Sequence, residues 1–301
     1  MKKLCLILTI LVILLLCACG KAATSVDESD QPTTDSEETH EVKDRNSESY
    51  EYLAKGYEYL QDEDYDSAIN CFAIAAEEGN SNAMYELGNI YEFGSDAVEP
   101  DYQKAMEWHL KAAEAGNSDS MGIVASFYMK GIGTEQDNQK ATEWFLKAAE
   151  AGNNGAMMQV GFMYLSGVGV DKDTEKGEEW LEKAAGQFGT NYSYTMKNIA
   201  DAYYFGQNDY GPDIEQDYSK AAEWYQKAAQ ANDARAMEML SVMCFYGRGM
   251  EKDSAKAMEW YKKVVDIKGK EIAGDDISSL FNRGVVESDY LEQAYMVSVD
   301  N

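Results

Sequence analysis

The sequence predicts an all-α solenoid of stacked helix pairs, and two observations carry that prediction. First, tryptophans recur at a fixed spacing: Trp108, Trp144 and Trp180 lie 36 residues apart, Trp224 follows after 44, and Trp260 after another 36. A period in this range is typical of stacked supersecondary units. Second, apolar residues within each unit return at steps of three and four, which is the spacing of one buried face on a helix.

The first helix of each unit ends at a loop glycine. The five glycines are Gly94, Gly131, Gly167, Gly206 and Gly247. Ten residues before each of them stands a methionine, seven before it Leu, Val or Ile, and six before it only Gly, Ala or Ser. Three before it stands a tyrosine in four units and Cys244 in the fifth. This stripe predicts a core face, and its small residue lets a neighbouring helix approach closely.

The second helix of each unit carries the tryptophan, and we expect the five rings of Trp108, Trp144, Trp180, Trp224 and Trp260 to form the structural core. A glutamate precedes every tryptophan, and a lysine follows that glutamate after four residues, as in Glu143 and Lys147. This order favours a helical ion pair, which contributes about 0.2–0.5 kcal/mol. The pattern therefore predicts a solvated helix face rather than an acid–base site.

Taken together, these motifs resemble Sel1-like repeats, which are relatives of the tetratricopeptide repeat with a longer loop. The resemblance rests on Ala83-Met84-x-x-Leu87-Gly88-x-x-Tyr91, the Gly-x-Gly loop, and Lys-Ala-x-x-Trp-x-x-Lys-Ala-Ala-x-Ala-Gly, and it covers residues 82–270 as five units. It implies a right-handed α-solenoid of antiparallel helix pairs that binds other proteins. Two units depart from the pattern: the first has an extra loop residue before Asp101, and the fourth is eight residues longer than its neighbours.

The segments 48–81 and 271–301 flank the five units. The first resembles an ordinary tetratricopeptide unit of about 34 residues and suits an N-terminal cap, because the first helix pair of an array is covered on one side only. Beyond Lys270 the period fails. Two short helices, over Asp275–Asn282 and Ser288–Val297, are expected to cover the last repeat.

Residues 1–18 have the pattern of a lipoprotein signal peptide. Lys2 and Lys3 precede an apolar run that is too short for a comfortable transmembrane helix. The run ends in Leu16-Cys17-Ala18-Cys19-Gly20, which resembles a bacterial lipobox and makes Cys19 the expected lipidation site. The alternative is ordinary cleavage and a freely secreted protein. Residues 19–47 then comprise the lipidated cysteine and an acidic, disordered tether.

We therefore expect an exported protein, anchored by lipid at the extracytoplasmic face of the cell membrane. No aspartate follows Cys19 as a retention signal, so the outer membrane is open as a destination in a cell that has one. The formal charge is −28, and removal of Lys2 and Lys3 with the leader changes it to −30. Such a charge repels nucleic acid and anionic headgroups, and it favours basic protein partners.

The sequence offers no nucleophile–base pair, no CxxC and no phosphate loop, so we expect no catalytic residue, no cofactor and no metal site. His109 occupies a core position. Cys71 and Cys244 lie on core stripes and are expected to be buried thiols. The chain lacks the paired cysteines of some exported Sel1-like proteins, which weakens any transfer of their β-lactam binding or hydrolysis.

The expected function is that of a lipid-anchored envelope scaffold or adaptor for protein partners. Two alternatives stay open: a cell-envelope enzyme or β-lactam-binding protein, and a structural spacer. The longer loop of the fourth unit is the predicted partner site, because insertions in repeats map to loops on one face. Its residues are Tyr204, Asp209, Tyr210 and Asp213. A tolerated surface insertion is the alternative interpretation, and Tyr203 is predicted to be structural.

Overall fold

The computed structural model describes residues 36–95, 97–186, 192–207, 211–269 and 286–299. Throughout these residues the chain forms helices and loops and no strand. The chain divides into two compact units, Met1–Asp44 and Arg45–Asn301. Of the first unit only the beginning of one helix is described. The all-α prediction is confirmed.

The described part of the chain contains thirteen helices. They are α1 (Ser36–Gln61), α2 (Tyr65–Glu77), α3 (Ser81–Phe93), α4 (Tyr102–Glu114), α5 (Ser118–Lys130), α6 (Asn138–Glu150), α7 (Asn154–Ser166), α8 (Thr174–Gly186), α9 (Tyr192–Phe205), α10 (Tyr218–Gln230), α11 (Ala234–Tyr246), α12 (Ser254–Lys268) and α13 (Ser288–Val299).

The helices pack in consecutive pairs. The closest contacts join α3 to α4, α5 to α6, α7 to α8, α9 to α10 and α11 to α12, and each pair also packs on the next. We call these pairs the first to fifth repeats. Because contacts between elements follow the order of the chain, the architecture is the predicted solenoid.

Helix α1 begins at Ser36, inside the 19–47 segment that the sequence analysis assigned to a disordered tether, and this corrects the boundary. The residues from Ser36 to Lys55 include neither glycine nor proline, and they are rich in Glu, Lys and Arg, which are good helix formers. The signal peptide and Cys19 lie outside the described residues.

Asparagine and aspartate residues start the helices. Oδ1 of Asn117 accepts from the N–H of Ser120 at 2.8 Å, and Oδ1 of Asp137 accepts from the N–H of Lys140 at 3.0 Å. Gly116 (φ 92°) and Asn117 thus end one repeat and cap the next. The same capping recurs at Asn80, Asp101, Asn153, Asp217, Asp233 and Asp253. Each such cap is worth about 1 kcal/mol.

The two glycines of the Gly-x-Gly loop have different roles. Gly131 ends α5 in the left-handed conformation (φ 68°), and its N–H donates to the carbonyl of Phe127. Gly133 also has a positive φ, and a Cβ there would lie 2.1 Å from the carbonyl oxygen of Tyr102, at the start of α4. The second glycine therefore allows the loop of one repeat to lie against the second helix of the preceding repeat. The same contact joins Gly169 to Asn138 and Gly249 to Tyr218.

All five tryptophan rings are predicted to form the structural core, but four of them lie at its edge, packed against it. Trp108, Trp144, Trp180 and Trp260 are half-buried, and Trp224 is 3% exposed. The centre is occupied by the residue after each tryptophan: His109, Phe145, Leu181, Tyr225 and Tyr261, each at most 3% exposed. Adjacent residues differ by about 100° around a helix, so only one of the two large side chains can point to the centre.

A lysine side chain lies over each tryptophan ring. The Nζ atoms are 3.8–4.3 Å from the ring centroids in the pairs Lys111–Trp108, Lys147–Trp144, Lys183–Trp180, Lys227–Trp224 and Lys263–Trp260. Such a contact is worth about 0.5–1 kcal/mol at an exposed site. Among the described residues no ion pair joins one of these lysines to the glutamate four residues before it, and Lys227 instead pairs with Glu182 at 2.5 Å. The predicted helical ion pairs are thus replaced by cation–π contacts.

Cys71 and Cys244 are free, buried thiols, as predicted. Burial raises the pKa of both. Cys244 stands where the other repeats have a tyrosine, and its Sγ lies 3.3 Å from the carbonyl oxygen of Asp253. In the second repeat the corresponding ring, Tyr128, lies 5.2 Å from Nζ of Lys140.

The helix expected near the C-terminus is present as α13. Tyr290 is fully buried there, and its hydroxyl donates to Oγ of Ser241 in α11 at 2.8 Å. The last repeat is therefore covered, as expected. The other predicted helix, Asp275–Asn282, lies outside the described residues.

Candidate functional site

Tyr204 is a core residue, which corrects its assignment to the partner-binding loop. Its side chain is 3% exposed, and its ring packs edge-to-face on Phe205 and Tyr218 at 4.8 and 5.1 Å. The guanidinium of Arg248 donates to its hydroxyl. Tyr204 lies in the last turn of α9, directly after Tyr203 of the predicted core stripe, and the rings of Phe205 and Tyr218 pack on it.

Of the other three predicted partner-site residues, the structure describes only Asp213. Asp213 is exposed. Asp209 and Tyr210 lie outside the described residues. Ile214 follows Asp213 and is 7% exposed, so the end of the insertion is held in the core. Tyr203 is structural as predicted: it is 3% exposed and its hydroxyl donates to Oε1 of Glu178 at 2.5 Å.

A second surface is formed by the first helices, at positions nine, five and two before the loop glycine. These positions follow steps of four and three, so they form one stripe on each helix, and we call the five stripes the inner face. The stripes are Tyr85, Asn89 and Glu92; Gly122, Ser126 and Met129; Met158, Phe162 and Leu165; Lys197, Asp201 and Tyr204; and Glu238, Val242 and Phe245.

The inner face is open on α3 and α5 and closed on α7 and α11. All six stripe residues of α3 and α5 are partly exposed, whereas all six of α7 and α11 are buried. We call the α3 and α5 stripes the open inner face. It combines carboxylate, amide and hydroxyl groups with the side chains of Tyr85 and Met129, which are the ingredients of a protein-binding surface.

Gly122 lies in the middle of the open inner face, and packing does not require it. A Cβ at Gly88 would meet the His109 ring at 2.5 Å, and one at Gly161 would meet Leu181 at 2.6 Å, so those helical glycines are needed for close packing. A Cβ at Gly122 would meet nothing within 4 Å. A glycine inside a helix costs roughly 0.5–1 kcal/mol relative to alanine. At Gly122 the helix bears this cost with no gain in packing, and the missing side chain leaves open space on the surface.

The α3 end of the open inner face contains a buried imidazole. His109 is fully buried under Gly88, and its ring lies edge-to-face with Tyr85 at 5.9 Å. Its Nε2 lies 3.4 Å from Oε2 of Glu92, without the geometry of a hydrogen bond. Among the described residues, three buried atoms here have no hydrogen-bond partner: Nδ1 and Nε2 of His109, and Oε2 of Glu92.

A second carboxylate, Glu86, lies on the same helix and is half-buried. It accepts hydrogen bonds from the hydroxyl of Tyr57 at 2.8 Å and from Nδ2 of Asn89 at 3.4 Å. Burial raises the pKa of this carboxyl, against the lowering effects of Tyr57, Asn89 and His109. Burial likewise raises the pKa of Tyr57 and Tyr85. The arrangement is a partly desolvated negative site beside aromatic rings.

From the sequence, His109 is predicted to lie in the core, and neither Glu86 nor Glu92 is a predicted site residue. A signal was present, since a histidine occupies a position that is aromatic or aliphatic in the other repeats, and the same repeat has two glutamates on its first helix. In the described residues no group of three or more His, Cys, Asp or Glu side chains is arranged to hold a metal ion. In that same part of the chain, no helix has both the length and the apolar character that a membrane span needs.

Comparison with known proteins agrees with this architecture. The family model described as Sel1 repeat matches residues 47–80, 81–117, 118–153, 155–187, 193–233 and 234–263. The first match covers the unit that the sequence analysis set apart as tetratricopeptide-like. No curated protein sequence matches the chain.

Many solved structures are similar to this chain, and two of them serve as examples. The protective antigen c5321 of uropathogenic Escherichia coli, which has an SLR fold, is 26% identical with a TM-score of 0.59. The match covers 87% of this chain and 56% of that protein, so the chain spans little more than half its length. A Sel1 repeat protein from Oxalobacter formigenes is 26% identical with a TM-score of 0.56, over 82% of this chain and 99% of the other.

The family match extends over well more than half of the chain, and it coincides with the helix pairs. Sel1 repeat proteins are generally scaffolds for protein–protein interaction rather than enzymes. This chain belongs to the Sel1 repeat family.

Proposed function

We propose that this chain is a lipid-anchored adaptor of the cell envelope that holds a partner protein on its open inner face. One observation carries the binding surface. The core positions repeat from unit to unit, whereas the inner-face positions differ in every repeat. All three stripe residues are partly exposed on α3 and on α5, two of three are partly exposed on α9, and the stripes of α7 and α11 are buried. A repeated core with a varied open surface is the arrangement that solenoids use for specific binding.

The anchor is supported by the sequence around Cys19. An apolar run of signal-peptide length precedes it, with Leu16 and Ala18 at the lipobox positions. A diacylated cysteine contributes two chains, which is enough for stable attachment to a membrane. The charge of −30 keeps the protein away from anionic lipid headgroups and leaves the repeats available to a partner.

The anchor is tested by Cys19→Ala. We expect the variant to appear in the medium or the soluble fraction, because the lipid is the only link to the bilayer in this proposal. Cell fractionation and immunoblotting measure the distribution, and Cys17→Ala serves as the control that should leave it unchanged. Retention of Cys19→Ala in the membrane fraction would refute the anchor.

The binding surface is tested by Gly122→Leu. The new side chain enters open space, so the free energy of unfolding is expected to stay the same or rise by roughly 0.5–1 kcal/mol. Partner recovery by crosslinking in cells should fall strongly, because the leucine occupies the surface that the partner covers. Urea denaturation and quantitative mass spectrometry measure the two effects.

The matched control is Gly155→Leu, an exposed glycine near the start of α7. It should leave partner recovery unchanged. If Gly122→Leu and Gly155→Leu recover the same amount of partner, the binding site does not lie on the open inner face. If the native chain recovers no specific partner, the spacer alternative is favoured. Turnover of a chromogenic β-lactam by the purified chain would favour the enzyme alternative.

A further inference from the structure

The junction between the third and fourth repeats is packed less closely than the other junctions between repeats. At each of the others, the second helix of one repeat packs along the first helix of the next, whereas α8 touches α9 only sparsely. Five residues join α8 to α9, where three join α4 to α5, α6 to α7 and α10 to α11. The chain therefore holds α9 less tightly to the helix before it.

A cleft of about 370 Å³ lies where this packing is sparse. Its lining includes Glu182 and Ala185 of α8, Met196 of α9 and Lys227 of α10. Protein interiors are normally filled to the density of organic crystals, so helices with such a space between them have few contacts to lose when they separate. Movement at this junction therefore costs less packing than movement at a filled one.

On the inner side of the same junction the repeats stay in contact. Helices α7 and α9 approach each other more closely than any other two successive first helices in the described part of the chain. Nδ2 of Asn154 in α7 donates to Oγ1 of Thr195 in α9 at 3.0 Å, and one hydrophobic core continues from α7 into α9. A junction that is joined along its inner side and loosely packed along its outer side has a preferred axis of rotation.

On the outer side, ion pairs cross the junction between the second helices. Nζ of Lys227 in α10 lies 2.5 Å from Oε1 of Glu182 in α8, and Lys220 pairs with Glu178 between the same two helices. Oε1 of Glu178 also accepts the hydrogen bond from Tyr203. The other ion pairs whose two residues are both described lie within a single repeat or within α1. The four paired side chains are 30–59% exposed, so dissolved salt reaches them.

We propose that this junction is a hinge, with the α7–α9 contact as its axis and the ion pairs Lys227–Glu182 and Lys220–Glu178 as a latch on its outer side. When the latch opens, α10 moves away from α8, and the fourth and fifth repeats turn relative to the first three. Exposed ion pairs shift an equilibrium by only a few-fold each, so salt or a bound partner is enough to change the angle. The hinge stands whether or not the open inner face binds a partner.

The test measures distances between spin labels in a chain whose native cysteines are replaced by alanine. One label pair, at Glu143→Cys and Glu223→Cys, spans two junctions including the hinge. The control pair, at Glu107→Cys and Glu179→Cys, spans two junctions without it. All four positions are exposed and hold the glutamate before a tryptophan, so the two pairs are matched. Pulsed electron–electron double resonance gives the distribution of distances for each pair.

Glu178→Gln with Glu182→Gln removes the latch, and a glutamine at position 178 can still accept from Tyr203. For the pair across the hinge, the fraction of molecules at longer distances should rise by roughly two- to tenfold, and the control pair should not change. Salt at about 1 M, where the screening length is about 3 Å, should have the same effect on the native latch. Glu114→Gln with Glu150→Gln removes the same charge at exposed positions and should change neither distribution.

Reversal of one ion pair gives an independent check. Glu182→Lys should open the hinge, and the further change Lys227→Glu should restore the native distribution, because opposite charges again face each other. Far-UV circular dichroism verifies that the helices stay folded in every variant. The hinge is overturned if removal of the latch changes nothing, if both label pairs broaden equally, or if the reversed pair does not restore the native distances.

Discussion

Phe145→Ala is expected to lower the free energy of unfolding by about 3–5 kcal/mol, whereas Trp144→Ala, one residue earlier, should cost only about 1–2 kcal/mol. Phe145 is 3% exposed in the centre of the largest core cluster, so its removal leaves a cavity. Trp144 packs at the edge of that cluster, and part of its ring is covered by Lys147, whose Nζ lies 4.0 Å from the ring centroid. Its loss removes edge packing and one cation–π contact.

Urea denaturation followed by far-UV circular dichroism measures both variants under the same conditions. Trp224→Ala provides a second comparison, because Trp224 is 3% exposed and should behave like Phe145. A larger loss from Trp144→Ala than from Phe145→Ala would show that the tryptophan position is the centre of the core after all.

The helix pairs, their stacking order and their caps could be predicted from the sequence because five copies of the same pattern lie in one chain. The rotation of the second helix about its axis, which decides whether Trp144 or Phe145 points into the core, could not be predicted. Trp144 and Phe145 are adjacent, large and apolar, and a 36-residue period fits either of them as the inward residue. The lysine three residues after each tryptophan was the available clue, since it places a charge on the same side of the helix as the ring.

The candidate site could be predicted only in part, for a different reason. The helical period predicts on which face of its helix Glu92 or Tyr204 lies. Whether the side chain is exposed depends on which residues of the neighbouring repeats cover that face. Tyr204 is closed in by Phe205, Tyr218 and Arg248, and Glu92 is not. The insertion departs from the repeat and is therefore conspicuous in the sequence, whereas a stripe that varies in every repeat is not.

Gly169→Ala is expected to destabilise the chain by roughly 2–5 kcal/mol, and Gly167→Ala by roughly 1–2 kcal/mol. Both glycines have a left-handed conformation, with φ of 75° and 77°, so both substitutions carry the same backbone strain. They differ in what the new methyl group meets. At Gly167 the nearest atom is Cβ of Lys172 at 3.2 Å, a contact that a small shift relieves, whereas at Gly169 it is the carbonyl oxygen of Asn138 at 2.2 Å.

The difference between the two variants thus measures the close contact between repeats apart from the cost of the turn. Asn138 begins α6 of the preceding repeat, so an alanine at Gly169 must push the two repeats apart or distort the loop. Urea denaturation gives both losses, and equal losses would mean that the second glycine serves only the turn. A larger loss at Gly169 would show that the glycine sets the separation of neighbouring repeats, and with it the spacing of the stripes from which the open inner face is built.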